Sequence, residues 1–116
     1  MKIIEKPWGI EYIIFTNELY TFKLLLVYKG EKLSKQYHQK KHETLFFSGG
    51  KAKITINDKD YYPPAFTDLD GIENKSFIIP PGTIHRIEAI TDCLIYEAST
   101  SELDDVVRLE DKYDRC

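Results

Sequence analysis

The sequence predicts an all-β fold closed into a barrel or jelly roll. Short runs of β-branched and aromatic residues recur along the chain, and Gly, Pro and Asn-Asp separate them. Closing such strands into a barrel removes the exposed edges that an open sheet would leave. With 116 residues there is room for one core. We therefore expect a single domain over residues 1–116, with strands between about 9 and 99 and a tail over 100–116.

The apolar runs and the turns between them define the predicted elements. Asn57-Asp58 and Gly49-Gly50 supply residues that tolerate positive φ, as two-residue hairpin turns require. Residues 63–74 contain two prolines and are predicted to form one long loop, of a kind that is often functional. The tail is too short and too charged to predict a helix. Strands are expected over residues 9–15, 20–28, 32–38, 43–48, 51–56, 59–62, 75–79, 83–89 and 94–99.

Composition excludes several classes of function. The net charge is −3, and no basic run extends beyond Lys40-Lys41, so a nucleic-acid partner is not expected. We expect Lys40 and Lys41 to form a solvated rim. No window is apolar enough for a membrane span, and the N-terminus has no apolar stretch typical of a signal peptide. The sequence thus favours a cytoplasmic protein with no membrane partner.

Four side chains are candidate metal ligands. Gln36 and His38 are two residues apart, which places both side chains on one face of a strand. Glu43 follows across a short turn, and His85 follows the rigid Pro80-Pro81-Gly82 turn. Imidazole, carboxylate and amide ligands suit one divalent ion, with zinc favoured and iron, manganese or nickel also possible. With one anionic ligand, the site would keep positive charge and could polarise a carbonyl or hydroxyl oxygen.

The spacing of these ligands resembles that of the cupin superfamily. Residues 30–49, GEKLSKQYHQKKHETLFFSG, look like its first motif, with Gln36 in place of the first histidine. Residues 80–85, PPGTIH, look like its second motif, Pro-x-Gly-x-x-His. The leading glycine and the trailing asparagine of that second motif are absent, since Asn74 and Ala89 occupy those positions. The resemblance implies a cupin jelly-roll barrel.

A narrower resemblance runs nearly from end to end. Segments KPWGIEY (6–12), LSKQYH (33–38), IPPGTIHRIE (79–88) and DDVVRLEDKY (104–113) are similar to the type II mannose-6-phosphate isomerases. They are most similar to the cupin domain of bifunctional isomerase/guanylyltransferase enzymes, in which Gln-x-His replaces His-x-His. The 116 residues have no room for the nucleotidyltransferase domain, so guanylyltransferase activity is not expected of them.

Three charged residues are candidates for substrate chemistry. Lys23 and Glu97 each interrupt an apolar strand, where an unpaired buried charge would be costly. Both match positions at which the isomerase-like cupins carry Lys and Glu, so we consider each as a catalytic residue, and Lys23 also as a substrate ligand. A purely structural ion pair is the alternative. Arg86 has the fork geometry that binds phosphate, although alternation points it away from His85.

The resemblance implies ketol-isomerisation of a phosphorylated hexose, mannose 6-phosphate or fructose 6-phosphate, feeding sugar-nucleotide or polysaccharide synthesis. Either Glu97 or Lys23 would be the base. An isomerase or epimerase of a nucleotide-linked sugar, or a non-catalytic sugar-binding cupin, are the alternatives. A site closed by a fourth protein ligand, with no room for substrate, would favour the binding module. A homodimer is also expected, with contacts from residues 3–15.

Overall fold

The computed structural model describes residues 1–64 and 69–116, which form eleven strands and one 3-10 helix. The 3-10 helix spans Leu69–Lys75. The strands are β1 (Lys2–Lys6), β2 (Gly9–Thr16), β3 (Thr21–Val27), β4 (Lys35–Tyr37), β5 (Glu43–Gly49), β6 (Ala52–Ile56), β7 (Lys59–Tyr61), β8 (Ser76–Ile79), β9 (His85–Ala89), β10 (Cys93–Ser99) and β11 (Val107–Glu110).

Two antiparallel sheets pack face to face. The six-stranded sheet has the order β1-β2-β3-β10-β5-β8, and the five-stranded sheet has the order β11-β4-β9-β6-β7. One hydrophobic core joins them, because buried residues of both sheets belong to the same cluster, including Leu25 and Ile95 from the first and Ile54 and Ile87 from the second. The prediction of a closed all-β architecture is confirmed.

The interior changes character along the strands. Inward residues of β3 and β10 alternate with outward ones, as a period of two requires. Their register pairs Val27 with Cys93 and Leu25 with Ile95, and then pairs Lys23 with Glu97. Along these two strands, the inward-facing pairs therefore change from apolar to charged, while inward and outward residues continue to alternate. The charged layers lie at the end of the barrel where β5 and β9 begin.

The two predicted hairpin turns behave differently. Asn57 and Asp58 have φ values of 49° and 66° and join β6 to β7, so the predicted two-residue hairpin is confirmed. Gly49-Gly50 joins β5 to β6, which lie in different sheets, so the prediction of a hairpin there is wrong. Gly50 has φ +81°, and a Cβ on it would lie 2.0 Å from the Asp92 carbonyl oxygen. Glycine is required there because the backbone of Asp92, which directly precedes β10, passes so close.

Two strands lie outside the predicted range of 9–99. β1 pairs with β2 at one edge of the six-stranded sheet, and β11 pairs with β4 at one edge of the five-stranded sheet. Both are short and charged, so neither has the apolar run by which strands are recognised in a sequence. The segment 3–15, expected to contribute to a homodimer, includes most of the edge strand β1; the homodimer stays a prediction.

The predicted loop over 63–74 is only partly described. Residues 65–68 of that loop lie outside the described residues, and the 3-10 helix begins after them. A lid function for this segment stays a prediction. In the described part of the chain, no helix combines the length and the hydropathy that crossing a bilayer requires.

Candidate metal centre

Three of the four predicted ligands converge where the two sheets meet. Glu43 begins β5 in the six-stranded sheet, His85 begins β9 in the other, and His38 directly follows β4. All three are buried, and their ligand atoms lie within 4.8 Å of one another. Glu43 Oε1 is 3.1 Å from His85 Nε2 and 3.4 Å from His38 Nε2. The group could hold one metal ion.

Backbone carbonyls orient both imidazoles. His85 Nδ1 donates to the Thr83 carbonyl oxygen at 2.9 Å, and His38 Nδ1 donates to the Asp105 carbonyl oxygen. Because a carbonyl oxygen only accepts, each ring carries a proton on Nδ1, so Nε2 is the nitrogen that faces Glu43 and that offers a lone pair to a metal ion when the ring is neutral. His38 Nε2 is buried and has no hydrogen-bond partner among the described residues. A buried nitrogen acceptor beside a carboxylate fits a divalent cation, and carbonyl-oriented histidines are typical of metal sites.

Gln36 is positioned beside this group. It pairs in register with His85 across β4 and β9, so the two side chains share one face of the sheet. Its Oε1 accepts a hydrogen bond from the Ser34 hydroxyl at 2.6 Å. An amide oxygen has a second lone pair, so this contact leaves one available. The assignment of Gln36 as a fourth ligand stays a prediction.

A chain of ion pairs leads away from Glu43 through the charged layers. Lys41 Nζ lies 3.3 Å from Glu43 Oε2 and 3.0 Å from Glu97 Oε2. Lys23 Nζ lies 3.9 Å from Glu97 Oε2 and 3.3 Å from Glu11 Oε1. The candidates Lys23 and Glu97 are thus paired with each other and with further charges. Pairing of this kind offsets much of the cost of burying them.

Lys41 corrects one sequence-based expectation. It was expected to lie in a solvated rim with Lys40, but it is 5% exposed and bridges Glu43 to Glu97. Its spacing of two from Glu43 is a signal that could have identified it, because extended residues i and i+2 share a face. Lys40 is exposed, as expected.

The surrounding charges shift the protonation of the site. Burial alone would raise the pKa of Glu43, but the two histidines and the Lys41 charge outweigh it and lower that pKa. Burial, followed by repulsion from Glu43, raises the pKa of Glu97 despite the attraction of Lys41 and Lys23. Burial opposes a charge on His38, but the Glu43 carboxylate outweighs it and raises the His38 pKa. The centre therefore holds one carboxyl group with a lowered pKa, Glu43, and one with a raised pKa, Glu97.

Asp105, in the C-terminal segment, holds the His38 side chain in position although the two residues are far apart in the sequence. The Asp105 carboxylate accepts hydrogen bonds from the backbone N–H groups of Gln39, Lys40 and Lys41 at 3.0, 2.7 and 2.9 Å. These contacts lower the Asp105 pKa. They fix the position of the carbonyl that orients His38, 67 residues earlier. The sequence offered no spacing signal for this role, because Asp105 lies in the predicted tail.

A pocket of about 220 Å³ opens beside the ligands. It lies between β1 and β11, the two strands that the sequence did not predict, and it leaves room for a small molecule. Its lining includes Lys23, Gln36, His38, Lys41 and Glu97.

Arg86 does not line this pocket. Its Nε donates to the Leu33 carbonyl oxygen at 3.0 Å, and it faces a different cavity of about 240 Å³, together with Lys32 and Lys53. Since Arg86 follows His85 directly on β9, alternation turns it to the other side of the sheet. Arg86 and Lys23 thus line different cavities, and their assignment as substrate-binding residues stays a prediction.

Comparison with known proteins identifies the family. The model of the family described as "Mannose-6-phosphate isomerase C-terminal" matches residues 2–111. Mannose-1-phosphate guanylyltransferase ManC of Salmonella typhimurium is 38% identical over 117 aligned residues, which cover 97% of this chain and 23% of that enzyme. The chain thus spans about a quarter of the length of this curated relative.

Solved structures agree on the fold. The capsular polysaccharide assembling protein CapF from Staphylococcus aureus superimposes with a TM-score of 0.77 at 21% identity, over 95% of this chain and 32% of that one. The Schizosaccharomyces pombe Cnp3 cupin domain superimposes with a TM-score of 0.68 at 13% identity, over 88% and 69%. The predicted cupin barrel is confirmed. The chain belongs to the mannose-6-phosphate isomerase C-terminal family of cupins.

Proposed function

We propose that this domain is a metal-dependent ketol-isomerase of a phosphorylated hexose, interconverting mannose 6-phosphate and fructose 6-phosphate. The observation that carries the proposal is the unpartnered, buried His38 Nε2 beside Glu43 and His85, next to a pocket that also contains Glu97 and Lys23. Family membership supports the substrate class. The open pocket favours a substrate over a closed binding module.

The metal-holding residues are His38, Glu43 and His85, with Gln36 as the fourth ligand. Only Glu43 among them is anionic, so a bound divalent ion would supply Lewis-acid stabilisation of negative charge on a substrate oxygen. Lys41 contacts the other oxygen of Glu43. That contact keeps Glu43 ionised and holds its Oε1 toward the two imidazoles.

Of the two charged candidates, Glu97 and Lys23, Glu97 is the better candidate for the general base. Burial raises its pKa, which makes a carboxylate a stronger base at neutral pH. Lys23 lies between Glu11 and Glu97, where its positive charge stabilises the ionised form of Glu97. In the proposed reaction, Glu97 takes the proton from C2 of the aldose and returns it to C1. The hydroxyl proton on O2 moves to O1, so that no atom is gained or lost.

Solvent exchange tests the reaction directly. Metal-loaded protein is incubated with mannose 6-phosphate in deuterated water, and loss of the C2 proton signal is followed by NMR. We expect exchange in the wild type and none in His38→Ala or Glu97→Gln. His42→Ala is the matched control, because His42 is exposed and lies next to Glu43 in the sequence. Exchange retained in Glu97→Gln would assign the base elsewhere.

A coupled assay for fructose 6-phosphate completes this test, because a hydride shift would escape the exchange measurement. Neither exchange nor product with a fully metal-loaded protein would overturn the isomerase. Such a result would favour the nucleotide-linked sugar or the non-catalytic alternative.

A further inference from the structure

The cations that line the pocket of about 220 Å³ beside the metal ligands fall into two groups. Lys23, Lys41 and Arg115 are neutralised by carboxylates, the last by Asp111 at 2.7 Å. Arg108 of β11 differs, because its Nε is buried and has no hydrogen-bond partner in the described part of the chain. The Arg108 residue as a whole is partly exposed and lines the pocket, and its buried Nε–H without a partner costs free energy. Its persistence here indicates a position prepared for an anion.

Sheet register places Arg108 relative to the metal ligands. Gln36 pairs with Arg108 on one side and with His85 on the other. Paired residues of an antiparallel sheet point to the same face, so Arg108, Gln36 and His85 form a row across β11, β4 and β9. Two strand spacings, about 10 Å, separate the backbones of Arg108 and His85. A ligand with one end at the histidines could therefore reach the Arg108 side chain with its other end.

The facing strand adds positive charge to the same rim. Lys2, Ile4 and Lys6 of β1 line the pocket opposite β11, while Ile3 and Glu5 do not. Two acidic residues also line this side, Asp104 and Asp105. The Asp105 carboxylate is already used by three backbone N–H groups. The rim thus offers two lysines and an arginine fork, which is the geometry that recognises phosphate bidentately.

We propose that Arg108 binds the phosphate group of the substrate, with Lys2 and Lys6 at the rim, while the metal ligands face the carbonyl end. This assignment rests on the proposed function and deepens it. It replaces Arg86, which faces a separate cavity. It also gives β1 and β11 a common role, since together they hold the anion end of the pocket.

Binding measurements on the metal-loaded protein test this assignment. Mannose 6-phosphate and mannose are titrated by calorimetry into the wild type, Arg108→Met, Arg108→Lys and Arg86→Met. Arg108→Met should weaken binding of mannose 6-phosphate by about tenfold to a hundredfold, because hydrogen bonds to a charged group are lost. Binding of unphosphorylated mannose should not change. Arg108→Lys keeps the charge without the fork and should lose less, and Arg86→Met is the matched control with wild-type affinity.

The outcomes separate this inference from the proposed reaction. A loss specific to mannose 6-phosphate in Arg108→Met supports the phosphate site, even if the wild type shows no isomerisation. Wild-type affinity in Arg108→Met, or the same loss in Arg86→Met, overturns the assignment while leaving the isomerase intact. An equal loss for mannose and mannose 6-phosphate also overturns it, because the effect would then be structural. Arg108→Lys covers the case in which Arg108→Met does not fold.

Discussion

The two ends of the barrel are built on the same strands but perform different tasks. At one end, the inward positions carry apolar residues such as Val27, Ile54 and Ile95, each with no exposed surface. At the other end, the same alternation places Lys23, Glu97 and Glu43 inward, linked by ion pairs. Apolar burial stabilises the fold, whereas buried ion pairs contribute little net stability. The charged end is therefore the end at which we propose the chemistry, and stability and activity should be separable by mutation.

The largest expected effect comes from the apolar end. Ile54→Ala removes a fully buried side chain and should lower the free energy of unfolding by about 2–5 kcal/mol. The loss should be equal with chelator and with metal, because Ile54 belongs to the hydrophobic core and not to the ligand group. Urea unfolding in both conditions measures it. Ile78→Ala is the control, since Ile78 is 74% exposed and should cost within about 1 kcal/mol. A metal-dependent loss in Ile54→Ala would break the proposed separation.

The complementary change at the charged end should depend on metal. His85→Ala should abolish binding of about one divalent ion per chain, measured by elemental analysis after reconstitution. At free metal 100-fold above the wild-type Kd, the variant should lack about 2.7 kcal/mol of stabilisation relative to wild type. His42→Ala should keep both the metal and the stabilisation. Full metal content in both His85→Ala and His38→Ala would contradict the assigned centre.

Alternation and motif spacing were sufficient to predict much of both ends. The apolar runs predicted the strands β3, β5 and β10, and the spacing of His38, Glu43 and His85 predicted that they would converge. The predictions failed where a residue's environment depends on distant pairing. β11 is a strand only because β4 lies beside it, so the roles of Asp105 and Arg108 could not be read from their own segment.

Two local patterns were also misleading. Lys41 was grouped with Lys40 as a short basic run, although its alternation with Glu43 places it inside. Gly49-Gly50 has the composition of a hairpin turn, but it carries the chain from one sheet to the other. The second error has a physical origin, because local sequence does not show which of the two sheets a strand will join, whereas the first overlooked a local signal.

The two histidines allow a finer test within the charged end. The Thr83 carbonyl that orients His85 follows the Pro80-Pro81-Gly82 turn, whereas the Asp105 carbonyl that orients His38 is held by its own side chain. Asp105→Ala should therefore weaken metal binding about tenfold to a hundredfold, as loss of an outer support typically does. Thr83→Ala is the matched control and should bind metal normally, because only its carbonyl is used. Competition against a chelator of known affinity measures both. If Asp105→Ala bound the metal as tightly as Thr83→Ala, Asp105 would not have the role assigned to it.

The smallest expected effect is on pH dependence, and it again distinguishes the two ends. The pKa of His38 is raised in the folded apo protein, so a metal ion must displace a proton there. Metal affinity should rise with pH by up to about tenfold per unit at pH values below the raised folded pKa of His38, and it should level off above that pKa. Apo stability should change in the opposite sense. The contribution of protonated His38 is fully present below the unfolded pKa, and it is lost as pH rises through the folded pKa. Chelator competition and thermal unfolding, each measured at pH values from below the unfolded pKa of His38 to above its folded pKa, measure the two trends.

Ile54→Ala should lower the free energy of unfolding at every pH without changing its pH dependence, because it alters no titrating group. His38→Ala should flatten the apo trend, and an unchanged trend in that variant would assign the titration to another group.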